Sequence, residues 1–375
     1  MKSNVNISST RNSPLTLRAG PRAMEHIRVH GLQAGDIAVI PAAAGGPKGL
    51  ILQAFDQWLF GEWLVSAPRH RSLIGASIGA WRMAAASMPD PAQGFARLGK
   101  LYCQQFYPPK PSSTYVTDVV LELLAHFIAG HARDIVQQPV NRLHILTSKG
   151  RGLLKAPRHS LIEKTGFVAA SLANIGARSR LSNHLERVII SDQRDPLLWL
   201  KHPFDAFPTE FAALNEDNLK LALLASGTLP LIMDPVRAIP HAPRGTYWDG
   251  GLIDYHLALP YSRLSANKSN NLVLYPHFTD HIIPGWLDKA FAWRRAHKGE
   301  NRHWLDNVVL IAPSDEFVRS LPRQKLPDRS DFAFHGSNHQ LRIQEWQYAI
   351  GAGEKLRDAF RSFVQSPDVD LIQPF

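Results

Sequence analysis

Arg71-Ser72-Leu73-Ile74-Gly75-Ala76-Ser77-Ile78-Gly79-Ala80 is the stretch on which the reading of this chain turns. Arg71 to Gly75 reads as a strand and Ile78 to Ser87 as a helix, with Gly-x-Ser-x-Gly at the junction. A serine at the tip of such a turn has strained backbone angles and crowded neighbours. Gly75 and Gly79 remove side chains that would clash there. The helix start adds unpaired N–H groups and the positive end of a dipole beside the hydroxyl. In that context the serine is placed for nucleophilic attack; outside it, the same residues make only a glycine-rich turn.

Upstream, Asp36 to Pro41 reads as a buried strand and Ala42 to Gly49 as a loop of small residues. Pro47 suits the first turn of a helix running to Phe60, because proline lacks only a donor that is unpaired there. The loop matches neither the P-loop nor the Gly-x-Gly-x-x-Gly pattern, which disfavours a nucleotide. Gly45 and Gly46 can instead present N–H groups to an oxyanion, with Lys48 adding positive charge. A plain strand-to-helix connection of small residues is the alternative. Downstream, Tyr247-Trp248-Asp249-Gly250-Gly251 ends a short strand. Asp followed by two glycines is a common turn. Beside a nucleophilic serine it gains another meaning, because a hydroxyl needs a base and a carboxylate serves when burial raises its pKa.

Strand signals recur at Leu143–Thr147, Arg187–Ser191, Leu272–Tyr275 and Val308–Ala312. Helical patterns cover Ala23–His30, Val116–Ala129, Glu216–Ser226, Gly285–His297 and Gln340–Phe363. This alternation predicts an α/β fold with a mostly parallel sheet. Tyr107–Thr114 and Leu321–Ser330 read as long loops; the charged stretch Leu321–Asp331 is a solvated loop on the simpler reading and a gate over a pocket on the other. The expected organisation is a basic, disordered tail over residues 1–22 followed by one domain over 23–375.

The chain has 375 residues, 45% of them hydrophobic and 20% charged, which excludes wholesale disorder. A lone Cys103 excludes an intramolecular disulfide framework and a multi-cysteine zinc site, favouring a reducing, cytoplasmic setting. The 17 histidines show no tight ligand spacing, so no metal is expected. Leu219 to Met233 is apolar but short of the ~20 residues of a spanning helix. The N-terminus lacks a signal-peptide core. Its Arg- and Ser-rich start also fits a transit peptide, though a plain basic tail is the simpler reading. The net charge of +10 calls for an anionic partner. No zinc-finger, RNP-like or basic-zipper pattern supports nucleic acid. In Pro284–Trp304, Trp286, Ala290 and Trp293 share one helix face above Arg294, Arg295 and Lys298. That pattern describes a core-packed helix with a basic end, or an interfacial helix on an anionic membrane surface.

Taken in order, Ala44-Gly45-Gly46-Pro47-Lys48-Gly49, Gly75-Ala76-Ser77-Ile78-Gly79, Ala225-Ser226-Gly227-Thr228-Leu229-Pro230 and Asp249-Gly250-Gly251 resemble the four signature segments of the patatin-like phospholipase family. The resemblance covers about residues 36–260 and leaves 261–375 as an unassigned extension. Ala44 replaces the first glycine of the oxyanion loop but keeps its N–H, Lys48 stands where arginine is commoner, and Ile78 narrows the space beside the serine. The resemblance implies a three-layer α/β sandwich and a lipid acyl-ester hydrolase of the phospholipase A or lysophospholipase kind. Ser77 would be the nucleophile and Asp249 its base, in a dyad that needs no cofactor. Gly45 and Gly46 would form the oxyanion hole with Lys48 beside them, and Gly49, Gly75, Gly79, Gly250 and Gly251 would support the motifs. Two other readings stay open: an α/β-hydrolase triad drawing on His256, His277, His281 or His303, and a non-catalytic lipid-surface protein.

Overall fold

The computed structural model describes residues 13–157, 159–265 and 271–375. Its centre is one ten-stranded sheet. The strands are β1 (Leu15–Ala19), β2 (Ile37–Ala42), β3 (Arg71–Ala76), β4 (Asn141–Gly150), β5 (Leu185–Ser191), β6 (Thr209–Ala213), β7 (Tyr247–Trp248), β8 (Leu272–Pro276), β9 (Val308–Pro313) and β10 (Ile372–Pro374). They lie in the order β10-β1-β9-β8-β2-β3-β4-β5-β6, with β7 paired to β4. The run β9-β8-β2-β3-β4 is parallel, whereas β1 meets β9, and β4 meets both β5 and β7, in antiparallel fashion. Helices flank the sheet, giving the mostly parallel α/β layering expected from the sequence. All six residues of β3 are buried, as in a strand covered on both faces.

The parallel run brings β2 and β3 side by side with Ala42 opposite Gly75, so the loops leaving their C-terminal ends emerge together. That edge is where open α/β sheets place ligands. Ala76 pairs with Leu146 of β4, which carries the third contributor, β7, on its far end. The segment beyond residue 260 is built into the same sheet through β8, β9 and β10.

Several expectations need correction. Residues 15–22, assigned above to the tail, form β1 and the start of the helix Pro21–His30. Leu15, Leu17 and Ala19 alternate inward, and Arg18 binds Asp280 at 2.7 Å. The tail expectation for residues 1–12 lies outside the described residues. The stretch from Pro47 to Phe60 begins as a 3-10 turn, Gly46–Leu52, before becoming α-helical at Gln53–Trp58. The helix expected over 340–363 is two helices, His339–Ala352 and Glu354–Gln365, with the backbone at Gly353 pressed against the Ile51 carbonyl where a Cβ would collide.

The largest departure is at 285–297, where three short 3-10 turns replace the expected helix. The cause is Asp288, wholly buried and held by Arg178 at 2.7 Å, Arg294 at 2.9 Å and Asn174 at 3.0 Å. Burying a carboxylate requires such partners, and the chain bends to reach them. Arg294 therefore serves an internal network and does not form the free basic end of an interfacial helix. Among the described residues no helix is long and apolar enough to cross a membrane.

Candidate active site

Ser77 sits between β3 and the helix Ile78–Ala86 at φ 56°, ψ −130°. A positive φ in a residue other than glycine costs of order 1–3 kcal/mol, and it persists only when the surroundings enforce it. The enforcement is visible. A Cβ on Gly79 would run into the Ala42 and Ala43 carbonyls, and one on Gly75 into the backbone at Ala80. Both glycines are thus required by close packing of the turn. Gly49 is not required in this way, since a Cβ there would meet Arg82 and Ile78 at ordinary contact distance.

The Ser77 hydroxyl donates to Asp249 Oδ2 at 2.8 Å, and both residues are buried. Asp249 reaches the serine because β7 delivers it to the end of β4, and because the segment Ala225–Pro230 anchors both partners. Asp249 N–H donates to the Thr228 carbonyl at 2.8 Å and Gly250 N–H to the Ser226 carbonyl at 3.0 Å. Ser226 in turn accepts from the Ser77 N–H at 2.8 Å and donates to the Leu146 carbonyl at 2.7 Å. One buried serine therefore fixes the Ser77 turn, Asp249 and β4 together. Gly250 is pressed on the Leu146 carbonyl and Gly251 on Ala44 and Asp249 itself, so neither position accepts a side chain.

Burial pushes the Asp249 carboxyl up to about 6, against the opposing pull of the Arg329 cation, the Ser77 hydroxyl, the Gly251 N–H and Lys289. A carboxylate so raised is a stronger base than an ordinary aspartate yet remains ionised at neutral pH. Its second oxygen, Oδ1, accepts from Gly251 N–H at 2.7 Å, which leaves Oδ2 aimed at the hydroxyl.

Gly45 and Gly46 face the same cavity as Ser77 and Asp249. They are the cap and first residue of the 3-10 turn Gly46–Leu52, positions whose N–H groups have no carbonyl of the turn to bond. Gly46 has φ +58°, and a Cβ on Gly45 would enter the Phe278 ring. Ala44 keeps its N–H, but that group donates to the Tyr255 carbonyl at 2.9 Å and is not available to an oxyanion. Lys48 lies over the Phe278 ring on the wall of this cavity. Partial burial lowers its pKa, with Asp328 opposing and Lys325 reinforcing the shift.

Two chambers meet at Ser77. One, of about 600 Å³, is walled by Ile78, Trp81, Val116, Val120, Met233 and Phe332 and is mainly apolar. The other, of about 340 Å³, holds the Gly45–Gly46 loop, Asp249, Lys48, Lys289 and Arg329. Ser77, Leu229 and Arg329 line both. Arg329, Lys289 and Tyr102 were not singled out from the sequence. Arg329 lies in the charged stretch read as a solvated loop or, alternatively, as a gate over a pocket. That stretch is tied down by Asp331, which binds Lys325 at 2.7 Å and Trp346 Nε1 at 2.9 Å, and the Arg329 charge opposes the upward push that burial gives the Tyr102 hydroxyl.

No histidine among the described residues bonds Ser77 or Asp249. His256 and His277 accept from the backbone N–H groups of Ile283 and Thr279, His281 pairs with Asp280, and His303 contacts the Glu300 carbonyl. Burial drives His256 and His277 well below the ordinary histidine range, to about 3 for His277. Among the described residues no three His, Cys, Asp or Glu side chains gather as a metal site. Compared with known proteins, the chain matches no family model and no curated sequence.

Proposed function

We propose that the protein is a serine acyl hydrolase of the patatin-like kind, acting on lipid acyl esters through Ser77 and Asp249. The observation that carries this reading is the direct 2.8 Å bond from a strained, buried serine to a carboxylate with a raised pKa, at the mouth of an apolar chamber. In the first half-reaction Ser77 Oγ bonds to the ester carbonyl carbon while Asp249 Oδ2 takes the hydroxyl proton. The carbonyl oxygen becomes an oxyanion facing the Gly45 and Gly46 N–H groups. Collapse breaks the ester C–O bond, and Asp249 returns the proton to the leaving alcohol. In the second, water attacks the acyl-serine with Asp249 as base, releasing the fatty acid and the serine hydroxyl. The apolar chamber suits an acyl chain, which favours lipids over small polar esters.

The triad reading loses support, because Ser77 already has Asp249 as its partner and the candidate histidines are engaged elsewhere. A purely non-catalytic lipid binder would not need a strained serine held against a raised carboxylate.

Peripheral contact with an anionic lipid surface is part of the proposal, placed on a different element from the one first expected. Helix Ser160–Gly176 exposes Leu161, Val168, Leu172 and Ile175 along one face. Its Glu163 side chain accepts from the Leu231 N–H at 3.1 Å, beside Ile232 at the rim of the apolar chamber.

The decisive kinetic test is stopped-flow hydrolysis of a long-chain p-nitrophenyl ester. An acyl-enzyme route gives a burst of about one nitrophenol per chain when deacylation is slower than acylation, and the acylated protein is then seen by intact mass. Hydrolysis at the wild-type rate in a folded Ser77→Ala variant contradicts the covalent mechanism.

A further inference from the structure

We propose that Arg82 and Asp56 are a positioning pair that sets the Gly45–Gly46 loop against Ser77. The inference rests on the acyl-hydrolase reading. It adds to that reading two residues that lie outside all four sequence motifs and act through others.

The oxyanion donors and the nucleophile come from two elements that must be held in register. Gly45 and Gly46 open the 3-10 turn Gly46–Leu52, which runs directly into the helix Gln53–Trp58 carrying Asp56. Ser77 opens the helix Ile78–Ala86 carrying Arg82. Pairing of β2 with β3 aligns the chain only as far as Ala42 and Gly75, before Gly45 or Ser77 is reached. Beyond that point, Arg82 Nε donates to Asp56 Oδ2 at 2.8 Å and Arg82 Nη2 to Asp56 Oδ1 at 2.9 Å. Among the described residues, no other side-chain hydrogen bond joins residues 43–60 to residues 77–87. Ser226 ties the Ser77 turn to the Asp249 segment, and this pair ties it to the oxyanion loop.

The stem of Arg82 reinforces the connection. Ile78 and Arg82, four residues apart, share one face of their helix. Gly49 packs over that face, where a Cβ would meet Arg82 Cδ at 3.4 Å and Ile78 Cγ2 at 3.7 Å.

Stability alone does not call for such a pair. The two side chains are 4% and 1% exposed, and burial pushes the Asp56 carboxyl up against the pull of Arg82. Desolvation of two charges offsets most of their attraction, so apolar residues of similar volume stabilise a fold about as well. What apolar packing lacks is direction. A guanidinium fork on a carboxylate fixes both the separation and the rotation of the two helices. Catalytic geometry depends on that, because a misplacement of about 1 Å costs about 10²-fold in rate.

The test compares the full wild-type chain with Arg82→Met/Asp56→Leu, which keeps the bulk and removes the direction. On a long-chain p-nitrophenyl ester, kcat is expected to fall at least tenfold and on the order of 10²-fold, with KM within about twofold. Thermal unfolding confirms that the variant is folded. A long-chain trifluoromethyl ketone reads the oxyanion directly: Ser77 Oγ adds to its carbonyl carbon, the hydroxyl proton passes to Asp249, and the oxygen is left as an oxyanion at the loop. Its affinity should fall in parallel with kcat, while that of a long-chain alcohol, which forms no oxyanion, stays the same. Arg82→Lys keeps the charge without the fork and should lower kcat at least threefold at unchanged KM. A kcat loss below tenfold in the folded double variant, or a loss shared equally by KM and alcohol binding, overturns the proposal. If the double variant does not fold, Arg82→Lys decides, and a loss below threefold overturns it. Absence of both ester turnover and fluorophosphonate labelling of Ser77 in the wild-type protein removes the hydrolase reading itself, and this proposal with it.

Discussion

At the N-terminal end of β3, Ser72 donates to Asp195, and the same carboxylate lies 3.1 Å from His144 Nε2. His144 Nδ1 is 2.7 Å from the Ser191 hydroxyl. Five residues on, at the C-terminal end, Ser77 donates to Asp249 at 2.8 Å, and no histidine among the described residues bonds either. By distances alone the first cluster looks more like a catalytic triad than the second. Yet Ser72 and Ser191 belong to regular strands, and none of the four residues lines either chamber at Ser77. The carboxylates also differ in the sense of their shifts. Burial would raise Asp195, but bonds from His144 and Ser72 overcome it and hold the group below its ordinary value. Burial wins at Asp249 and raises it. A serine–histidine–aspartate chain within hydrogen-bond distance can be a strand clamp. Chemistry needs the strained turn, free backbone donors, a cavity and a base that is not over-stabilised.

The comparison breaks most visibly if the serines are exchanged in role. Ser77→Ala is expected to lower acyl-ester kcat by on the order of 10³-fold or more, whereas Ser191→Ala in the other cluster changes it less than about threefold. Steady-state hydrolysis of both folded variants decides this, and the reverse ranking would move the active site to the other end of β3.

Asp249→Asn removes the proposed base and is expected to cost about 10²- to 10⁴-fold in kcat. It should also stabilise the fold. A carboxyl raised from its ordinary 3.8 to about 6 binds its proton more tightly when folded, so its contribution is full below 3.8 and is lost as pH rises through 6. At pH 8 that loss is of order 3 kcal/mol, and asparagine escapes it. Thermal unfolding at pH 8 and pH 4 checks the sign: the variant gains over wild type at pH 8 and loses that gain at pH 4.

The same shift sets the pH profile. kcat/KM on an uncharged ester should fall about tenfold per pH unit below about 6, as Asp249 takes up its proton, and Asp249→Asn should flatten that limb. A midpoint near 7 that disappears on histidine substitution would restore the triad reading.

The smallest effect is expected at His256. His256→Asn, compared at equal folded fraction, should change kcat less than about fivefold, because its ring serves the backbone N–H of Ile283 and not the dyad.

What the sequence made legible was local. The ends of β2 and β3, the turn at Ser77 and the glycines after Asp249 are each written within a few adjacent residues, and glycine is informative where backbones touch. The pairing of Ser77 with Asp249 was inferred from the order of motifs. It is achieved by Ser226 and β7, whose contacts no spacing rule encodes. Arg329 and Lys289 carry no pattern at all; they reach the site through folding of the last third of the chain. β1 was legible in principle, since Leu15, Leu17 and Ala19 alternate, but five residues weigh little beside four basic charges. At 285–297 the helical period was real, and burial of Asp288 overrode it.

The most direct test of the dyad is to treat the full-length protein with a fluorophosphonate and map the adduct by peptide mass spectrometry. The account predicts a single stoichiometric adduct on Ser77, absent in Ser77→Ala and slowed in Asp249→Asn. No adduct, or an adduct on Ser72, Ser191 or any other residue with Ser77 unmodified, would contradict it.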